Sequence, residues 1–128
     1  MSNLSLQEAL AIIQGIYFFL TGVWPLVDIG SFQKVTGPKT DLWLVKTVGA
    51  LVAVVGAVLF VAGISTAVTF EVFLLAIGTA SALALVDIIY VRTGTISSIY
   101  LWDAAAEITM IGLWLVALNY YSAHPALA

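Results

Sequence analysis

Asp103 and Glu107 stand one helical turn apart in the run YLWDAAAEITMIGLWLVAL, Tyr100 to Leu118, which is otherwise apolar enough to lie in a bilayer. Residues four apart share a helix face, so the two carboxylates project the same way. An ionised aspartate at the centre of a membrane helix costs about 2.5–3.5 kcal/mol on insertion scales. Counting from Ile99, Glu107 lies about 12 Å along its helix at 1.5 Å per residue, near the middle of the membrane. It must be neutral, paired with a cation or wetted, and two ionised carboxylates this close repel each other.

Candidate partners occur at matching depth on other apolar runs. Lys46 enters the second run a turn and a half from the same end, Arg92 closes the third, and Asp87 precedes Arg92 on that helix. Gln14 and Thr21, spaced by seven, put a polar strip on the first run. Together Glu107, Asp103, Lys46, Asp87, Arg92, Gln14 and Thr21 describe a polar pocket between helices, because ionisable groups inside a membrane face bundle interiors and mark functional sites by default. The competing reading is a structural ion-pair network, with Asp87, Arg92 and Lys46 extending to the headgroups on their apolar stems. No catalytic residue is assigned. No metal site is supported either: the chain has no cysteine, and its one histidine, His124, sits beside Pro125 without a second ligand nearby.

These groups need elements to hold them, and composition says which. Of 128 residues, 62% are hydrophobic and 9% charged, where a soluble domain carries about a quarter charged. A hydrocarbon core about 30 Å thick needs about 20 apolar residues per helix. Four runs qualify, at 8–28, 41–63, 70–91 and 99–121, and their continuous hydrophobicity is unlike the alternation of barrel strands. The expected fold is all-α: a polytopic membrane protein forming a four-transmembrane-helix bundle, one transmembrane domain over residues 1–128. The N-terminal MSNLSLQEAL lacks the basic region of a cleavable signal, so the first run is expected to remain. No basic cluster supports nucleic-acid binding.

In a four-span chain the first and third connections share one side. Lys34, Lys39, Lys46 and Arg92 all belong to that side, which the positive-inside rule makes cytoplasmic, leaving both termini outside. Trp24, Trp43, Tyr90, Tyr100 and Trp102 cluster at the same ends, and Tyr120 and Tyr121 can anchor the other. Ser5 to Glu8 reads as a capping box, Pro25 as a kink or stop, and Thr40-Asp41 as a cap for the second span. Phe32 and Val35 let the long first connection dip into the interface as a short amphipathic turn.

Small residues form stripes: Gly15 and Gly22 on the first span, Gly49, Ala53, Gly56 and Gly63 on the second, and Ala76, Ala80 and Ala84 on the third. Such stripes let helix backbones approach closely. LVDI at Leu26–Ile29 recurs at Leu85–Ile88, each followed by a basic residue, Thr-Gly and Leu-Trp, which points to a 2+2 internal repeat of parallel halves.

QGIYFFLTGVWPL, then TGPK and LVKTVGALVAVVGAVLFVAG, together resemble the first half of the DoxX-like group of small four-helix membrane proteins, over about Gln14 to Gly63. The resemblance implies a bacterial inner-membrane bundle, in a group where some members are subunits of quinone-linked or thiol-related redox complexes. It assigns no residue, and the absence of cysteine speaks against the thiol-linked roles.

Three function readings follow. The leading one is a non-enzymatic membrane protein whose pocket, centred on Glu107, Asp103 and Lys46, binds a small amphipathic molecule such as a quinone or lipid, as a homo-oligomer or a subunit of a membrane complex. The second is a small oligomeric proton-coupled transporter. The third is an intramembrane enzyme using Asp103 and Glu107 as acid and base.

Overall fold

The computed structural model describes residues 3–123, with side chains to residue 119. His124 and the side chains of Tyr120 and Tyr121 lie outside the described residues. The chain forms α1 (Leu6–Val27), α2 (Ile29–Thr36), α3 (Leu42–Ile64), α4 (Phe70–Arg92) and α5 (Tyr100–Ala123). The four long helices α1, α3, α4 and α5 are each long and apolar enough to cross a membrane, and α2 is the short helix between the first two. The expected spans match these four to within a few residues. The chain is a multi-pass membrane protein, all-helical among the described residues.

Local chemistry sets the helix ends. The Ser5 hydroxyl accepts the Glu8 amide at 3.1 Å and opens α1. Thr69 does the same for Val72 at the start of α4. Asp41 occupies the N-cap of α3, but its side chain accepts no capping hydrogen bond, so the cap expected from Thr40-Asp41 is positional only. Pro25 falls in the last turn of α1, where its missing N–H and fixed φ bring the helix to a stop two residues later. Asp28 then serves twice. Its backbone amide donates to the Trp24 carbonyl, closing α1, while its side chain accepts the Ser31 amide at 3.1 Å, opening α2. The expected amphipathic turn is thus a full helix of eight residues. Gly37 ends it at φ 101°, ψ 158°, a conformation open in practice only to glycine.

Packing divides the bundle into two pairs. α1 and α3 meet backbone to backbone along the glycine stripes. A methyl group on Gly22 would lie 2.4 Å from the Gly49 carbonyl oxygen, and one on Gly56 would lie 2.6 Å from the Gly15 carbonyl oxygen. A third contact brings Gly63 against the Glu8 carbonyl, where a methyl would meet it at 2.8 Å. The contacts step by seven residues on both helices, two turns per step, so the antiparallel seam stays in register for its whole length. Oil offers no hydrophobic drive between helices, and close van der Waals contact takes its place.

α4 packs on α5, and Ala76, Ala80 and Ala84 of α4 and Ala104 and Ala117 of α5 are buried. The two pairs are joined at a central knot. Phe18 of α1, Leu59 of α3 and Trp114 of α5 are fully buried, and Phe73 of α4 meets the Trp114 ring edge-on at 5.9 Å. Gln14 completes it, donating to the Ala76 carbonyl at 2.9 Å and accepting from Trp114 Nε1 at 2.7 Å. Three of the four spans are therefore tied by one satisfied amide. The outer faces carry Leu20, Leu51, Val54 and Leu85, all more than half exposed, as suits a surface that meets acyl chains.

The repeated LVDI segments do not occupy equivalent environments. Asp28 is exposed at a helix junction, whereas Asp87 is 5% exposed inside α4. The connections that follow also differ, with a helix after the first and a short turn after the second.

Candidate functional site

A cavity of about 450 Å³ lies where α2 and the end of the α4–α5 connection meet the long helices. That size lies in the range of small-molecule sites, about 300–1,000 Å³. Each element supplies part of the wall. α1 contributes Tyr17, Thr21, Trp24 and Pro25, α2 contributes Phe32, Val35 and Thr36, and α3 contributes Leu44, Val45, Val48 and Val52. Leu83 of α4 and Tyr100, Asp103 and Glu107 of α5 complete it, with Lys39 from the loop before α3. The wall is apolar and aromatic apart from a few polar groups, the usual make-up of a site that orients an amphipathic molecule.

Glu107 is the buried acid anticipated for mid-span. None of its surface is exposed, and neither carboxyl oxygen has a hydrogen-bond partner among the described residues. A buried polar atom without a partner costs about 1–3 kcal/mol, so this is an expensive residue to keep. Asp103, one turn nearer the α2 end, accepts a hydrogen bond from the Tyr17 hydroxyl across the α1–α5 gap. Asp87 of α4 adjoins Asp103 and is itself buried, with Oδ2 unpartnered. Asp103 and Glu107 thus reach the cavity wall from α5, with Asp87 of α4 buried beside Asp103.

The cations fall differently from the expected arrangement. Lys46 is exposed and lies off the cavity wall, and Arg92 is exposed at the end of α4. Exposure near a helix end is compatible with a long apolar stem carrying the charge outward. Lys39 takes the place at the cavity instead. Its ammonium donates to the Thr36 carbonyl at 3.1 Å, the Thr36 hydroxyl at 3.2 Å and the Gly37 carbonyl at 2.9 Å. It also stands 5.8 Å from the Phe32 ring centre and 5.1 Å from that of Tyr100. Lys39 so caps the C-terminus of α2, where the last carbonyls and the helix dipole favour a cation.

Of the other expected residues, Thr21 does reach the wall, with its hydroxyl donating back to the Tyr17 carbonyl at 2.8 Å. Gln14 is drawn into the central knot rather than the cavity.

Several cavity residues were not anticipated as such. Trp24 and Tyr100 read from sequence as headgroup anchors, yet both line the cavity while Trp43 and Trp102 stay exposed at 67% and 77%. Trp24 is turned inward by its own contacts: Nε1 donates to Ser31 Oγ at 2.8 Å and the indole meets the Phe32 ring edge-on at 5.3 Å. Tyr17 carried the one available signal, a phenol three residues from Gln14 and four from Thr21 on the polar strip.

A second hollow of about 350 Å³, wholly apolar, lies on the outside of the α1–α3 seam among Phe19, Leu20, Phe60 and Val61. It results from the glycines at the crossing and offers no polar group. A scan against family models and searches among curated proteins and solved structures find no match for this chain, so the functional reading rests on the cavity.

Proposed function

We propose that this membrane protein binds a small amphipathic molecule, of the quinone or lipid class, in the cavity between α1, α2, α3 and α5. The supporting observation is Glu107: a fully buried carboxyl with two unpartnered oxygens, beside a cavity of apolar and aromatic walls. Evolution of a stable bundle alone would replace such a group with a packed hydrophobe, since that exchange is neutral or favourable for stability. In this reading the apolar body of the ligand lies along Val48, Val52 and Leu83, and its polar end turns toward Asp103 and Glu107. The mouth beside Lys39 faces the cytoplasm, following the basic residues of that end, in the bacterial inner membrane that the DoxX-like resemblance implies. The same resemblance fits a role as a subunit of a quinone-linked membrane complex, or as a homo-oligomer.

The test is equilibrium binding to the purified protein. Titration with a short-chain benzoquinone quenches tryptophan emission saturably, through Trp24 on the wall, and mass spectrometry finds co-purified lipid that Val48→Trp, a cavity-filling change, removes. Glu107→Gln weakens quinone binding at least tenfold. Non-saturable quenching together with no lipid difference between the wild type and Val48→Trp would exclude the reading.

Transport is the second reading that Glu107 favours, because a buried carboxyl reached from one side can carry a proton. It requires a path completed by a second copy. Flux in liposomes that is absent at every pH removes it while leaving the binding role intact.

A further inference from the structure

The hydrogen-bond inventory of the cavity restricts the polar end of its ligand, given that the cavity is a binding site. Its side-chain donors are already committed. The three Lys39 hydrogens go to Thr36 and Gly37, the Thr36 hydroxyl donates to the Phe32 carbonyl at 2.7 Å, and Trp24 Nε1 goes to Ser31. The Tyr17 hydroxyl goes to Asp103 and that of Thr21 to its own helix. Only the Tyr100 hydroxyl is left over among the described donors of the wall. Among the described residues the groups without a partner are acceptors, the two Glu107 oxygens and one Asp87 oxygen, all of them buried. A Glu107 that kept its proton would supply one donor and still leave an oxygen open.

An anionic head would therefore face the carboxyl groups of Asp103 and Glu107 on the wall. A head rich in N–H donors suits a wall that carries two carboxyl groups, with the Glu107 oxygens buried just behind it without a partner. Aromatic ring faces attract cations; Lys39 stands over those of Phe32 and Tyr100, and the Tyr17 and Trp24 rings also line the wall. Among the described residues no three acidic or imidazole side chains converge as metal ligands, whereas the apolar volume accommodates an organic body.

We propose that the cavity binds lipophilic organic cations, molecules with a protonated amine on an apolar body, with Glu107 as the anionic acceptor.

The experiment uses the full-length protein in nanodiscs, titrated calorimetrically with three matched probes: 4-phenylbutylamine, 4-phenylbutanol and 4-phenylbutyrate. In the wild type the amine binds at least tenfold more tightly than the other two. Glu107→Gln removes that preference, and Lys39→Gln leaves amine affinity unchanged or raises it. Equal binding of amine and alcohol by the wild type overturns the cation inference while the amphipathic cavity stands. Tightest binding by the butyrate, lost in Lys39→Gln, overturns it in favour of an anionic head. Binding of none of the three above empty nanodiscs overturns both. The wild-type comparison decides the matter even where Glu107→Gln fails to fold.

Discussion

Gly56→Ala tests whether the α1–α3 seam holds the bundle together. The added methyl would stand 2.5 Å from the Phe19 amide nitrogen and 2.6 Å from the Gly15 carbonyl oxygen. Ordinary carbon contacts lie at about 3.5–4.0 Å, so the two backbones must separate by about 1 Å at this crossing. Neither obstacle is a side chain that can rotate away. Because the seam contacts repeat every second turn along rigid helices, separation at Gly56 also loosens the Gly22–Gly49 contact, which borders the cavity. Overpacking of this kind costs about 1–3 kcal/mol, and 2 kcal/mol is about a 30-fold change in the folded ratio. The assay is reversible unfolding in mixed micelles, followed by circular dichroism, with Gly78→Ala as the matched control. A methyl on Gly78 meets nothing within 4 Å, so that variant is at least as stable as the wild type, Ala being favoured over Gly inside a helix by up to about 1 kcal/mol. The reasoning fails if Gly56→Ala is as stable as the wild type, or if both variants lose the same amount.

Three further outcomes are expected. Glu107→Met removes unpartnered oxygens from a fully buried site and raises stability by about 1–3 kcal/mol while abolishing binding; a loss of stability would mean that the carboxyl is satisfied in the membrane. The Asp28 carboxyl is held below its ordinary value of 3.8, first by the Ser31 backbone amide and then by the Ser31 hydroxyl. Its folded value lies below its unfolded one, so the α2 cap contributes above pH 3.8 and is lost as pH falls through the lower folded value. Hydrogen exchange at the Ser31 amide accordingly stays slow down to pH 4, and early loss of protection above pH 4.5 would contradict the capping role. Because the chain has no cysteine, Ser65→Cys and Ser98→Cys each introduce a single thiol at opposite ends of α4; a membrane-impermeant maleimide labels Ser65→Cys in intact cells and spares Ser98→Cys, and the reverse pattern would invert the orientation.

The four spans were legible because bilayer thickness imposes a length and an apolarity that only a few stretches of chain satisfy. The small-residue stripes were legible for a related reason: glycine recurring every second turn has little use in oil except close helix contact, and Gly15, Gly22, Gly49, Gly56 and Gly63 all serve it. Glu107 stood out because a mid-span carboxylate has no cheap exposed position. Which groups surround it depended on tertiary structure. A membrane helix that is apolar on every side carries no pattern to set its rotation, so whether Asp87 faces lipid, water or a neighbour follows from packing alone. Tyr17 meets Asp103 across 86 positions of sequence, a contact that no local spacing announces. Read along the chain, Lys46 was the cation expected at the pocket and Lys39 only a basic residue of the first connection. The turn that α2 makes after Asp28 brings Lys39 to the cavity, while Lys46 is exposed and off its wall.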